Sequence, residues 1–146
     1  MKFSTLGSLA AVLILATTAS RAGGRKDYVS IPFSAVEAEE GRKGATLDGT
    51  VKFVFADEKG SSTDGAELSA KGWSRKGATD EERCAQAQLG AFLSFQKRAI
   101  KDGYNAVVDI RTYSEADRFS KSRKDCQCVV GGSGARVTVK GRLAKI

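Results

Sequence analysis

The chain has 146 residues, a formal net charge of +7 and no histidine. The absence of histidine excludes Ser-His-Asp and Cys-His catalysis and also His-based zinc sites. No GxxxxGK[ST] motif is present, so the sequence excludes a P-loop as well. We therefore expect a small protein that is not an enzyme and that carries neither a cofactor nor a metal.

The first 22 residues have the layout of a secretory signal peptide. A short positive start precedes an apolar run over 6–16, which is too short to span a bilayer. Small residues follow, and Ala19 and Ala22 are the expected cleavage points. We expect a signal peptide over 1–22, a single domain over 23–146, a periplasmic location and no membrane span. Export also implies a compartment in which cysteines oxidise.

The first half of the mature chain has the weaker secondary-structure signals. Alternation over 28–33 predicts a strand, and Ser34 with Glu37 predicts the capping box of a short helix over 35–40. Two further strands are predicted, over 50–56 and 67–74.

A long amphipathic helix is the clearest predicted element. Thr79 and Glu82 form a capping box at its start, and Gly103 provides its stop. At about 100° per residue, the large apolar side chains share one wide face, and polar side chains lie opposite. The expected apolar face comprises Cys84, Ala85, Leu89, Ala91, Phe92, Phe95, Ala99 and Ile100.

Three strands are predicted after the helix. The alternation over 105–113 places Asp109, Arg111 and Tyr113 on the outward face. By the same alternation, the residues expected to share the opposite face are Ala106, Val108, Ile110 and Thr112. The remaining elements are a polar loop over 114–124, a strand over 126–130, a glycine-rich turn over 131–134 and a strand over 137–143. The alternation of this last strand places Thr138, Lys140 and Arg142 on its outward side.

Strands grouped around one good helix predict an α+β fold, with an antiparallel sheet of four to six strands and the long helix packed on one face. A disulfide is expected to staple this fold. Cys84 lies on the apolar face of the helix, while Cys126 and Cys128 share one strand face, so either strand cysteine can reach Cys84. A bond between Cys126 and Cys128 is not expected, because same-face neighbours in a strand lie at the edge of disulfide reach.

Several stretches of the second half resemble a family of small exported bacterial proteins: 82–101, 103–110, Asp125-Cys126 and 137–146. Members are often labelled "excinuclease ATPase subunit", a label at odds with the lack of ATP-binding motifs here. The resemblance implies a disulfide between Cys84 and Cys126, with Cys128 as a free thiol. The chain is also distantly similar, through 105–107 and Cys126, to the outer-membrane lipoprotein sensor of the Rcs envelope-stress pathway, and through 105–107 to YbjQ-like domains.

Two functions fit these features. The first is a non-enzymatic periplasmic binding module, associated with the envelope or its stress response. Its partner would be an envelope protein or an anionic envelope surface, and not nucleic acid. The alternative is a thiol-based redox or soft-metal-handling protein that uses Cys126 and Cys128. The candidate binding surface comprises Asp109, Arg111, Tyr113, Arg118, Lys121, Arg123 and Lys124.

Overall fold

The structure, a computed structural model, describes residues 26–146. The predicted signal peptide over 1–22 lies outside these residues, and its cleavage stays a prediction. Within the described range, no helix combines the length and apolar character needed to cross a membrane. The elements in chain order are β1 (Lys26–Ile31), α1 (Phe33–Glu37), β2 (Lys52–Phe55), β3 (Glu67–Ser74), α2 (Asp80–Lys101), β4 (Ala106–Glu115), β5 (Arg118–Ser120), β6 (Cys126–Gly131) and β7 (Gly134–Ala144).

One seven-stranded sheet is built around β7, its longest strand. β7 pairs with β3 along one edge; along the other it pairs with β4 and, near its start, with β6. β6 also pairs with β1, and β4 also pairs with β5 and β2. All of these pairs are antiparallel except β2 with β4, so the sheet is mixed. The glycine-rich turn joins β6 to β7 as a tight hairpin, as predicted.

The α+β class and the single long helix are confirmed, but the predicted sheet is corrected in two respects. It has seven strands rather than four to six, and it is not wholly antiparallel. The additional strand is β5, whose three residues lie in the predicted polar loop and are too few to show a period of two. β2 and β4 run parallel because the chain between them contains β3 and α2, a crossover long enough to return to the same end of the sheet.

The two helices differ in how well the sequence predicted their starts. Thr79 caps α2, with its hydroxyl accepting a hydrogen bond from the Glu82 amide at 3.2 Å. α1 instead begins behind Pro32 and has no side-chain cap, so the predicted capping box at Ser34 is wrong. Pro32 has a fixed φ suited to the extended cap position, and α1 therefore starts and ends earlier than predicted.

The core lies between α2 and the sheet. Phe92 packs against three other rings, Phe33, Phe53 and Phe55, with centroids 4.8 to 6.2 Å away. Every residue of the predicted apolar face is buried except Ile100, which is 53% exposed in the last turn of the helix. Two glutamines are buried instead: the amides of Gln88 and Gln96 donate to the backbone oxygens of Gln127 at 2.7 Å and Thr46 at 3.2 Å.

α2 lies so close to β3 that the two backbones touch. A Cβ placed on Gly72 would lie 1.8 Å from the carbonyl oxygen of Ala87, so no larger residue fits without moving the helix. Gly72 thereby sets the distance between helix and sheet, and Leu68 and Ala70 of the same strand face pack against the core.

β4 contains a bulge at Asp109, whose φ is +52°. Its register against β7 shifts between Val108 and Arg111. Val108 therefore belongs to a small cluster on the face away from α2, whereas Ile110 lies in the main core. The predicted grouping of Val108 with Ile110 on one face is wrong, because an extra residue reverses the alternation that follows it.

Candidate functional site

The sheet has one face covered by α2 and one face that no helix covers within residues 26–146. On β7, Ala135, Val137 and Val139 belong to the core under α2, so the alternating side chains point to the other side. We call this second surface the open face. By strand register and contacts it comprises Lys26, Tyr28 and Ser30 (β1), Glu67, Ser69, Lys71 and Trp73 (β3), Ala106, Val108, Asp109, Arg111, Tyr113 and Glu115 (β4), Arg118 and Phe119 (β5), Gln127 and Val129 (β6), and Arg136, Thr138, Lys140, Arg142 and Ala144 (β7).

One end of the open face is held by a charge network centred on Asp109. Its carboxylate accepts hydrogen bonds from Arg142 at 3.0 Å and Arg111 at 3.2 Å, and Glu67 accepts from Arg111 at 2.6 Å. Asp109 is only 8% exposed, and its amide donates to the Ser61 hydroxyl at 2.9 Å. Asp109 was predicted to be an outward contact residue; the bulge instead buries its carboxylate under two arginines.

Aromatic rings and cations alternate across the middle of the open face. Tyr113 stacks on Phe119 at 4.9 Å between ring centroids, and the Lys140 ammonium lies 4.8 Å from the Tyr113 ring. The Arg118 guanidinium lies 3.8 Å from the ring of Tyr28. Tyr113 therefore points outward as predicted, but its partner covers it and leaves it 9% exposed, whereas Phe119 is 45% exposed.

A pocket of about 430 Å³ opens on this face beside Trp73. Trp73 is 55% exposed, with the Arg75 guanidinium 5.5 Å from its ring. Lys71 and Arg136 line the same pocket and are exposed, and neither has an ion-pair partner in the part of the chain that the structure describes. The acidic residue of the lining, Glu115, is paired with Lys26, whose hydrogen bond holds the Glu115 pKa below its usual value.

The predicted basic loop does not join this surface as a unit. Arg123 donates to the Phe53 carbonyl at 2.6 Å and to Glu58 at 3.0 Å, and its guanidinium lies 5.1 Å from the Phe33 ring on the helix side of the molecule. Lys121 and Lys124 are exposed beside it. The seven predicted surface residues therefore fall into three groups. Asp109 and Arg111 belong to the charge network, Tyr113 and Arg118 lie in the aromatic middle of the open face, and Lys121, Arg123 and Lys124 lie in the loop that follows β5.

The three cysteines are buried between α2 and the sheet, and no disulfide joins them. The neighbouring Cys128 thiol and burial together raise the pKa of the Cys84 thiol far above its usual value. The Cys126 thiol donates to the Arg123 carbonyl at 3.9 Å, and burial raises its pKa to about 12. The predicted staple between Cys84 and Cys126 therefore stays a prediction. No group of three or more His, Cys, Asp or Glu side chains within 26–146 is placed to hold a metal ion.

The chain matches no protein-family model, no curated protein and no solved structure. The resemblance based on 82–101 and 103–110 therefore stays a prediction.

Sequence reasoning found only part of the open face. The alternation of the last strand correctly predicted Thr138, Lys140 and Arg142 on the outward side. It missed the pairing of this strand with β3, which brings Lys71 and Trp73 next to Arg136. A signal was available, because the alternation of 67–74 places Lys71 and Trp73 on one face, but strand partners cannot be read from one sequence.

Proposed function

We propose that this protein is an exported, non-enzymatic binding module that docks through its open face onto an anionic surface of the cell envelope. The observation that carries the proposal is the open face itself. Among the elements of residues 26–146, no helix lies over this face, which has exposed aromatic rings and an excess of positive charge. Its seven basic side chains are Lys26, Lys71, Arg111, Arg118, Arg136, Lys140 and Arg142, and its three acidic ones are Glu67, Asp109 and Glu115.

The charges that remain available are concentrated around the pocket. The acidic side chains are occupied by internal partners, including Lys26, Arg111 and Arg142. Lys71 and Arg136 are left with no acidic partner within 26–146 and are exposed at the pocket. Basic side chains in such a position attract phosphate groups and raise the rate at which an anionic surface is encountered.

The exposed rings favour a lipid headgroup region over a fully aqueous polyanion. Trp73, Tyr28 and Phe119 are 55%, 39% and 45% exposed. Trp73 is paired with Arg136 across the sheet, the Arg118 guanidinium lies over Tyr28, and Phe119 stacks on Tyr113. Tryptophan and tyrosine are enriched where apolar and hydrated regions meet, because each has an apolar ring and a polar group. We therefore propose phosphate-bearing lipid headgroups as the partner.

No observation favours the redox or metal-handling alternative. Cys126 and Cys128 are both 0% exposed, and the raised pKa of Cys126 keeps its thiol protonated near neutral pH. Thiolates, rather than thiols, are the nucleophiles and metal ligands, so this environment weighs against both chemistries.

Trp73 makes the proposal directly testable, because it is the only tryptophan of the chain. The purified protein is mixed with phosphatidylglycerol or phosphatidylcholine vesicles, and Trp73 emission and cosedimentation are followed. We expect a blue shift and cosedimentation with the anionic vesicles only, and both should be lost at about 0.5 M salt, where charges are screened.

A charge-matched pair of variants locates the binding surface. Lys71→Ser with Arg136→Ser removes two cations from the open face and should weaken vesicle binding about 30-fold, at about 1 kcal/mol per cation. Lys97→Ser with Lys101→Ser removes the same charge from the exposed side of α2 and should change binding little. Equal losses of vesicle binding in both variants would overturn the proposal for lipid. The proposal would also be overturned if the protein bound neither kind of vesicle and the surface around Trp73 were crosslinked to an envelope protein.

A further inference from the structure

The start of α2 is fixed over β6 by a buried hydrogen bond. The Gln88 amide donates to the Gln127 carbonyl at 2.7 Å, and Gln88 is fully buried. Cys84 lies one helical turn before Gln88 on the same face. Gln127 is the residue between Cys126 and Cys128, so the hydrogen bond holds Cys84 above this pair.

The two strand cysteines have different surroundings at this point. Cys126 pairs with Ile31 across β1, and its thiol is engaged by the Arg123 carbonyl of the preceding loop. Cys128 lies one strand repeat further on, opposite Val29 and toward the turn that joins β6 to β7. α2 begins at this same end of the sheet, since Arg75 just before it donates to the Ser133 carbonyl of the turn at 3.0 Å. Cys84, one turn before Gln88, therefore lies on the Cys128 side of Gln127. The helix therefore selects between two cysteines that strand alternation alone leaves equivalent.

We propose that Cys84 and Cys128 are the cysteines that form a disulfide in this protein, with Cys126 remaining a thiol bonded to the Arg123 carbonyl. This pairing differs from the one implied by the family resemblance, which joins Cys84 to Cys126. It rests on the proposed export only for the source of its oxidant, an incoming disulfide of the kind present in oxidising compartments.

The disulfide forms by two successive thiol–disulfide exchanges. One thiolate of the pair attacks the incoming disulfide and releases one of its sulfurs as a thiolate, leaving a mixed disulfide. The second thiolate of the pair then attacks the protein sulfur of that mixed disulfide and releases the other half of the oxidant. Two protons and two electrons leave the protein. Because Cys84 and Cys128 are both 0% exposed, this exchange belongs to the folding chain, before α2 covers β6.

The test separates the pairing from export. The full chain is unfolded, refolded in a glutathione redox buffer, alkylated and digested with trypsin. Cys84 falls in one tryptic peptide, whereas Cys126 and Cys128 share the peptide 125–136. The peptide map alone shows that a bond exists, and fragmentation at Gln127 shows which strand cysteine carries it. We expect a bond to Cys128 and an alkylated Cys126; a bond to Cys126, or three alkylated cysteines, would overturn the proposal.

Two single variants give an independent readout. Cys126→Ser keeps a donor for the Arg123 carbonyl and should retain the mass loss of two hydrogens and the sensitivity of the melting temperature to reductant. Cys128→Ser should lose both. If Cys128→Ser keeps the bond and Cys126→Ser loses it, the proposed pairing is wrong. Protein isolated from cells with its leader attached and all thiols reduced would contradict export while leaving the refolding result to decide the pairing.

Discussion

The two faces of the sheet differ in how their side chains are packed and in how much of them is exposed to solvent. Between α2 and the sheet, five phenyl rings and three cysteines pack with almost no exposed area, and the buried glutamines are bonded to backbone oxygens. On the open face, charges and rings are stacked on one another and stay in contact with solvent. The covered face therefore contributes most of the buried apolar contacts of the domain, and the open face presents the exposed rings and cations.

The largest expected effect compares one residue type on the two faces. Phe92→Ala removes a fully buried ring from the centre of the phenylalanine cluster and should lower the free energy of unfolding by about 3–5 kcal/mol. Phe119→Ala removes a half-exposed ring that stacks on Tyr113 and should cost about 1 kcal/mol. Urea unfolding of both variants checks the difference, and similar losses would mean that the open face is part of the core.

Alanine substitutions at two glycines, one facing α2 and one within it, should change the free energy of unfolding in opposite directions. Gly72→Ala places a methyl group against the Ala87 backbone and should destabilise the protein by about 1–3 kcal/mol. Gly90→Ala meets no atom within 4 Å on the exposed side of α2 and should stabilise the helix by about 0.5–1 kcal/mol. Thermal unfolding of the pair measures both signs, and a neutral Gly72→Ala would contradict the close contact of helix and sheet.

Acid should weaken the contact between Arg123 and Glu58 at the margin of the core. Burial alone would raise the pKa of Glu58, but hydrogen bonds from Arg123 and the Phe55 amide outweigh it and the pKa is lowered. When the pKa of a carboxyl is lower in the folded state than in the unfolded state, the carboxyl stabilises the fold at any pH above its unfolded-state pKa. This contribution is lost as the pH falls through the folded-state pKa. Stability should therefore fall below about pH 4.5, and Glu58→Gln should flatten that part of the curve; an unchanged pH profile would contradict the ion pair.

The substitutions that should weaken vesicle binding most, at Lys71 and Arg136, should have the smallest effect on the free energy of unfolding. Lys71→Ser and Arg136→Ser each remove an exposed cation without an ion-pair partner in the described part of the chain, so each should change the free energy of unfolding by less than about 0.5 kcal/mol. Chemical denaturation checks this value in the same preparations used for vesicle binding. A large destabilisation would show that these cations stabilise the fold rather than serve a ligand.

The sequence predicted the covered face better than the open one, for a physical reason. The helix period of α2 is a local property, and Leu89, Phe92 and Phe95 were found on the buried side as expected. The bulge at Asp109 depends on the long-range pairing of β4 with β7, so strict alternation wrongly placed Ala106 and Val108 on the same face as Ile110. The choice between Cys126 and Cys128 depends likewise on where α2 lies over β6, which no periodicity encodes.

The central claim, that the open face meets the lipid surface, is tested most directly by the depth of Trp73 in the bound state. The protein is added to phosphatidylglycerol vesicles that carry bromine on the lipid chains near the headgroup, and Trp73 emission is compared with unbrominated vesicles of the same charge. We expect the brominated lipid to quench Trp73 emission strongly, because the exposed ring of Trp73 lies on the proposed docking surface. Protein that cosediments with these vesicles while Trp73 remains unquenched would contradict the claim.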